Sequence, residues 1–122
     1  MASRYFVGGG TGNWNSTTNW STTSGGASGA SAPVSTDDVF LDANSGANTL
    51  TINVASACLS ITCTGFVGTL AGSSNLSVGS GGVVFDASMT ITATGTLIST
   101  ASNTITSNGK TWTGNYTVSN VA

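Results

Sequence analysis

Histidine, glutamate and glutamine are missing from this sequence of 122 residues, and charge of either sign is scarce. The acids are Asp37, Asp38, Asp42 and Asp86, and the only basic side chains are Arg4 and Lys110. Charged residues make up 5% of the chain, against roughly 25% in an average soluble domain. Two cations do not neutralise a run of phosphates, so nucleic acid is not an expected partner. The same shortage argues against docking to an anionic membrane, and no run approaches the ~20 apolar residues of a membrane-spanning helix.

Catalysis is hard to build from what remains. Acid–base chemistry calls for a group poised near working pH, most often His or a tuned carboxylate. Without His or Glu, a Ser-His-Asp or Cys-His constellation has no base. Cys58 and Cys63 are too few for a structural zinc site. Asp37, Asp38 and Asp42 form the only acid cluster, but their spacing fits no EF-hand loop, and Asp before a strand is an ordinary turn residue. The glycines of residues 8–12 follow a short strand but precede no helix-forming segment, so they read as a turn and not as a phosphate cradle. Gly109-Lys110-Thr111 echoes the end of a P-loop, yet Thr104 stands where that motif needs glycine. No enzyme, cofactor or metal is expected.

What is present in quantity is Ser and Thr, 40 of 122 residues, together with 17 glycines. Thr, Val and Ile favour strands, while the long straight-chain helix formers are almost absent. Disorder goes with few aromatic and β-branched residues and high net charge, the reverse of this chain. The expectation is one all-β domain over residues 1–122.

Two textures divide it. Residues 1–42 form an aromatic N-terminal module with the single proline, Pro33, and three of the four acids. Tyr5-Phe6-Val7 and Val39-Phe40-Leu41 read as strands, and residues 24–31, all Gly, Ala or Ser, as a loop. Phe6, Trp14, Trp20 and Phe40 are expected to form a structural aromatic cluster, because nothing else nearby would bury them. Residues 48–120 form a β-repeat region with alternating apolar positions. Leu50, Ile52 and Val54 share a face, as do Leu59, Ile61 and Cys63, then Leu76 and Val78, then Met89, Ile91 and Ala93. Gly, Ser and Asn mark every junction. In an unbroken strand the five-residue separation of Cys58 and Cys63 points them to opposite faces. Free, packed thiols are expected.

Short strands at this spacing mean a solenoid, a barrel or a sandwich. A short parallel β-solenoid fits best, since stacked turns align Ser, Thr and Asn in ladders and need little charge. An antiparallel sandwich or jelly roll is the alternative, supported by Asn108-Gly109 between Thr104-Ile105-Thr106 and Thr111-Trp112-Thr113, a hairpin signal.

The stretch Arg4-Tyr5-Phe6-Val7-Gly8-Gly9, then Gly12-Asn13-Trp14-Asn15, Asn19-Trp20-Ser21, Pro33 and Asp37-Asp38-Val39-Phe40 resembles a recurrent N-terminal module of β-solenoid surface proteins. These are autotransporter-like passengers and head or tail proteins of tailed bacteriophages. The chain opens without the apolar segment of a secretory signal, which points to the phage side and to synthesis in a host cytoplasm. The resemblance implies a non-enzymatic virion structural protein, a capsid decoration or minor capsid-surface protein. Its partners would be capsid or other virion proteins and further copies of itself, a trimer being one such assembly, on the virion surface. The alternative is a carbohydrate- or host-surface-binding fibre or adhesin module using Trp14, Trp20, Trp112 or Tyr116.

Overall fold

Short segments rich in Thr, Val, Ile and Leu, with Gly, Ser and Asn at most corners, form the strands of the computed structural model, which describes residues 2–8 and 12–118. The strands are β1 (Ser3–Phe6), β2 (Trp20–Ser21), β3 (Asp38–Phe40), β4 (Thr49–Thr51), β5 (Ser56–Thr62) and β6 (Thr69–Ala71). They continue with β7 (Leu76–Val84), β8 (Thr90–Ile91), β9 (Leu97–Ser99), β10 (Ile105–Thr106) and β11 (Tyr116–Val118). The only helical pieces among the described residues are single 3-10 turns, Thr17–Asn19 and Ala43–Ser45. The expected glycine turn at residues 9–11 lies outside the described residues.

Almost every pairing is parallel and joins one turn of the chain to the next. On the first face, β1 pairs with β3, β3 with the second half of β5, that half with the second half of β7, and β7 with β10. The second face stacks β4, β6 and β8, and Asn13 bridges to Thr51 at its start. The third stacks the first halves of β5 and β7 with β9 and β11. Asp38 to Ser60 is a step of 22 residues, Thr49 to Thr69 of 20, and Leu97 to Tyr116 of 19. The fold is therefore a three-faced parallel β-solenoid of about four turns, β1 to β10 being five successive strands of one face.

Apolar side chains fill the interior in columns, because parallel in-register strands place like positions one above another. Val39, Ile61, Val83 and Ile105 make one column and Leu50, Leu70 and Ile91 another. Burying each such side chain stabilises the fold by roughly 1.5–3 kcal/mol. The first column ends on Arg4, in register with Val39, whose guanidinium bonds the Ser31 carbonyl, the Ser31 hydroxyl and the Ser3 carbonyl.

Three expectations fail for identifiable reasons. Asn108 and Gly109 have φ of 49° and 83°, and Lys110 N–H donates to Ser107 O, so the tight turn forms. Its flanks do not pair with each other, since Ile105 and Thr106 are recruited by the parallel edge of β7. Local turn chemistry was right and tertiary pairing overrode the hairpin. Second, the β5–β7 register slips at the corner between the third and first faces, with Cys58 opposite Val78 but Ser60 opposite Gly82. The same corner reverses the inward phase of β5, where consecutive Ser60 and Ile61 are both buried, so Cys58 and Cys63 both enter the core while Leu59 turns outward to half-burial. Gly82 makes the slip possible, at φ +77° with a Cβ that would sit 2.4 Å from Thr104 O. Third, Val54 leaves the face of Leu50 and Ile52 at the next corner and is 39% exposed.

Replacing Ile61, at the middle of its column, by Ala is expected to cost about 2–5 kcal/mol. Ile105→Ala, at the half-buried end of the same column, should cost well under half as much. Denaturant midpoints at unchanged slope read both.

Candidate functional site

The N-terminal aromatics are packed as a plug. Trp14, Trp20 and Phe6 are at most 2% exposed. The indoles of Trp14 and Trp20 meet edge-on with centroids 5.3 Å apart. Phe6 lies 6.0 Å from Trp20 and 6.2 Å from Phe66 of a later turn. Both indole N–H groups are used, Trp20 Nε1 donating to Trp14 O at 2.7 Å and Trp14 Nε1 to Pro33 O at 3.4 Å. The backbone joins in, as β2 runs antiparallel along the outer edge of β1 with Phe6 opposite Trp20. The first turn is thereby closed off, the role of a cap in a repeat architecture. Neither tryptophan offers an open ring face on which a sugar could stack. Phe40 is not in this plug. It is half-buried on the outer side of the first face, stacked on Tyr5 at 4.8 Å and 18°. Strand alternation puts Val39 inward and so turns Phe40 out.

The acids are tied separately into the backbone. Asp37 is buried and accepts from the N–H groups of Ala2 and Val34. Asp38 accepts from Ser60 Oγ at 2.6 Å. Asp42 caps the second 3-10 turn, accepting from Asn44 N–H at 2.9 Å and from Ser24 Oγ at 2.7 Å. Asp86 accepts from the N–H groups of Gly65 and Ser88, both at 2.9 Å, and these bonds hold its carboxyl below the usual aspartate value. Among the described residues no three His, Cys, Asp or Glu side chains come together as a metal would need. Burial pushes both thiols well above the ordinary thiol range. The Asp38 charge adds to the effect at Cys58, and Cys58 and Asp86 add to it at Cys63. A neutral buried thiol is a small apolar core residue and a poor nucleophile.

Two surface features remain. A shallow cleft of about 330 Å³ opens beside the plug, with Trp14, Pro33, Val34, Val54, Ala55 and Ala57 in its wall. No residue lining it is ionisable, so the cleft has no acid, base or charged anchor. The other feature is the C-terminal end. Ile105 and Trp112 are only half-buried, Trp112 stacking on Phe85 with its Nε1 bonded to Gly95 O. Strand β11 is exposed along its whole length, Tyr116 at 49% and Val118 at 51%. Among the described residues, β10 and β11 each have a strand on one side only. This open end escaped the sequence reading because Ile105, Trp112 and Val118 look like the buried positions of earlier turns. Among the described residues no further strand stacks on them.

No family model matches the sequence, and no curated protein or solved structure matches it.

Both thiols should stay unlabelled by iodoacetamide in the native chain at mildly alkaline pH and react fully once guanidinium unfolds it. Rapid native labelling, read by mass spectrometry, would contradict their place in the core.

Proposed function

We propose that this chain is a non-enzymatic structural protein of a virion surface, a capsid decoration or minor capsid protein of a tailed bacteriophage, attached through its open C-terminal end. The observation that carries the reading is the inequality of the two ends. One is covered by Trp14, Trp20 and β2, and at the other, among the described residues, β10 and β11 each have a strand on one side only, with Tyr116 and Val118 exposed. Exposed strand edges invite pairing with another chain. Lys110 is the only charged side chain from residue 87 to residue 118, so such docking would rest on backbone hydrogen bonds and apolar contact. The sealed end would then face outward.

Support for a virion comes from the likeness of residues 4–42 to the opening module of solenoid surface proteins, and from a composition that suits a passive scaffold. The carbohydrate-binding alternative loses its two foremost residues, since Trp14 and Trp20 are buried.

Incubated with purified particles of its source, the chain should sediment with them and remain bound in molar salt, because few charges take part. Double replacement Tyr116→Lys and Val118→Lys should release it while leaving the circular dichroism and melting midpoint near the parent's. Antibody label in electron microscopy should cover icosahedral heads. Salt elution, or label confined to tails or absent from any particle, would contradict the reading.

A further inference from the structure

The second face carries a regularity that neither the plug nor the open end explains. Its strands lie in the triplets Thr49-Leu50-Thr51, Thr69-Leu70-Ala71 and Thr90-Ile91-Thr92, which begin 20 and 21 residues apart. In each triplet the central residue is buried in the core, so the flanking residues point outward. The ladder runs without a slip. Thr49 pairs with Thr69 and Thr69 with Thr90, while Thr51 pairs with Ala71. Thr92 continues that second column, its N–H bonded to Leu70 O. The outward side chains of the three triplets thus make two columns, one entirely Thr and the other Thr, Ala, Thr, the second headed by Asn13 through its bridge to Thr51. A fourth triplet, Thr111-Trp112-Thr113, follows at the same 21-residue step. It lies outside the ladder, and the Thr113 hydroxyl donates to Ala93 O.

The hydroxyls of the columns are uncommitted. The hydroxyls of Ser24, Ser45, Ser56, Ser60 and Thr100 bond to protein acceptors, while among the described residues those of Thr62, Thr106 and Thr117 on the other faces do not, so what distinguishes the second face is the adjacency of its free hydroxyls. Among the described residues, Thr49, Thr51, Thr69, Thr90 and Thr92 have no such side-chain bond. No charged or aromatic side chain stands in either column. The other faces mix their outer residues. The outer row of the first face is Tyr5, Phe40, Thr62, Val84 and Thr106, and that of the third is Ala57, Ser77, Ile98 and Thr117, so neither sets threonines next to one another.

Strand geometry sets the repeat of the array at about 4.8 Å between turns and about 6.6 Å between the two columns. Hexagonal ice exposes rows of oxygen atoms with surface repeats close to these. Threonine is stiff at χ1, so ordering water over the array costs little side-chain freedom. Each residue supplies a hydroxyl that can join a water lattice and a methyl that orders the water beside it. A crystalline polysaccharide would be gripped by aromatic platforms, which this face lacks. We infer that the outer surface of β4, β6 and β8 is a binding face for ordered water at the surface of ice. The inference stands independently of attachment to a virion.

Ice crystals grown slowly in solutions of the purified chain test this. Crystals should grow faceted, and coarsening of a polycrystalline film should stop. Thr69→Lys, at the centre of the array, should abolish both effects, whereas Ser77→Lys on the third face should leave them intact, with melting midpoints confirming that both variants fold. Ala71→Thr completes the second column and should lower the protein concentration that halts coarsening. Round crystals with the parent chain would overturn the inference. So would a Thr69→Lys variant that folds and retains activity, or equal loss in Ser77→Lys. Retention on crystalline chitin or cellulose without any effect on ice would overturn it in favour of a polysaccharide surface.

Discussion

The in-register parallel ladder is the constraint on which everything else in this molecule depends. One turn of about twenty residues has no interior of its own, so its inward side chains leave water only when the next turn stacks on them. Stacking in turn requires that each turn place its apolar residues at the same positions. The columns Val39–Ile61–Val83–Ile105 and Leu50–Leu70–Ile91 meet that requirement. Ladder hydrogen bonds satisfy the backbone between turns, so little is left for charged side chains to do. The architecture thus tolerates the near-absence of charge.

A ladder of this kind has two ends, and each needs an answer. At the N-terminal end the answer is internal. Trp14 and Trp20 cover the first turn, β2 covers the edge of β1, and Arg4 closes the head of a column. At the C-terminal end the described residues supply none, and burial fades from Val83, through Ile105, to the exposed β11. The proposed attachment follows from this asymmetry. The lateral faces are a separate resource, since a solenoid repeats its outer side chains as faithfully as its inner ones. Only the second face turns that repetition into a uniform surface.

Much of this was legible in the sequence. Alternation marked Leu50 and Ile52, Leu76 and Val78, and Met89, Ile91 and Ala93 as inward, and all are buried. Steps of about twenty residues with Gly, Ser and Asn at the corners suggested stacked turns. The failures share a cause, for they lie where one turn's neighbour decides. The slip between β5 and β7 arises from two extra residues in β7, visible only once the strands are aligned. The Asn108-Gly109 signal was read correctly as a turn, but the edge of β7 outcompeted the hairpin. Phe40 was grouped with the tryptophans by nearness in sequence, whereas strand parity sends it to the opposite side. The open end was invisible for the same reason, because a residue's inward position says nothing about whether another turn covers it.

Amide hydrogen exchange, followed residue by residue at native conditions, tests the central claim that stability here is a sum of turn-on-turn contacts. Protection should be greatest in β3 and the second halves of β5 and β7, which have a parallel strand on both sides within the core. It should be lower in β10 and lowest in β11, each with a strand on one side only among the described residues. Uniform protection along all of these strands, or protection in β11 equal to that in β5, would contradict the account.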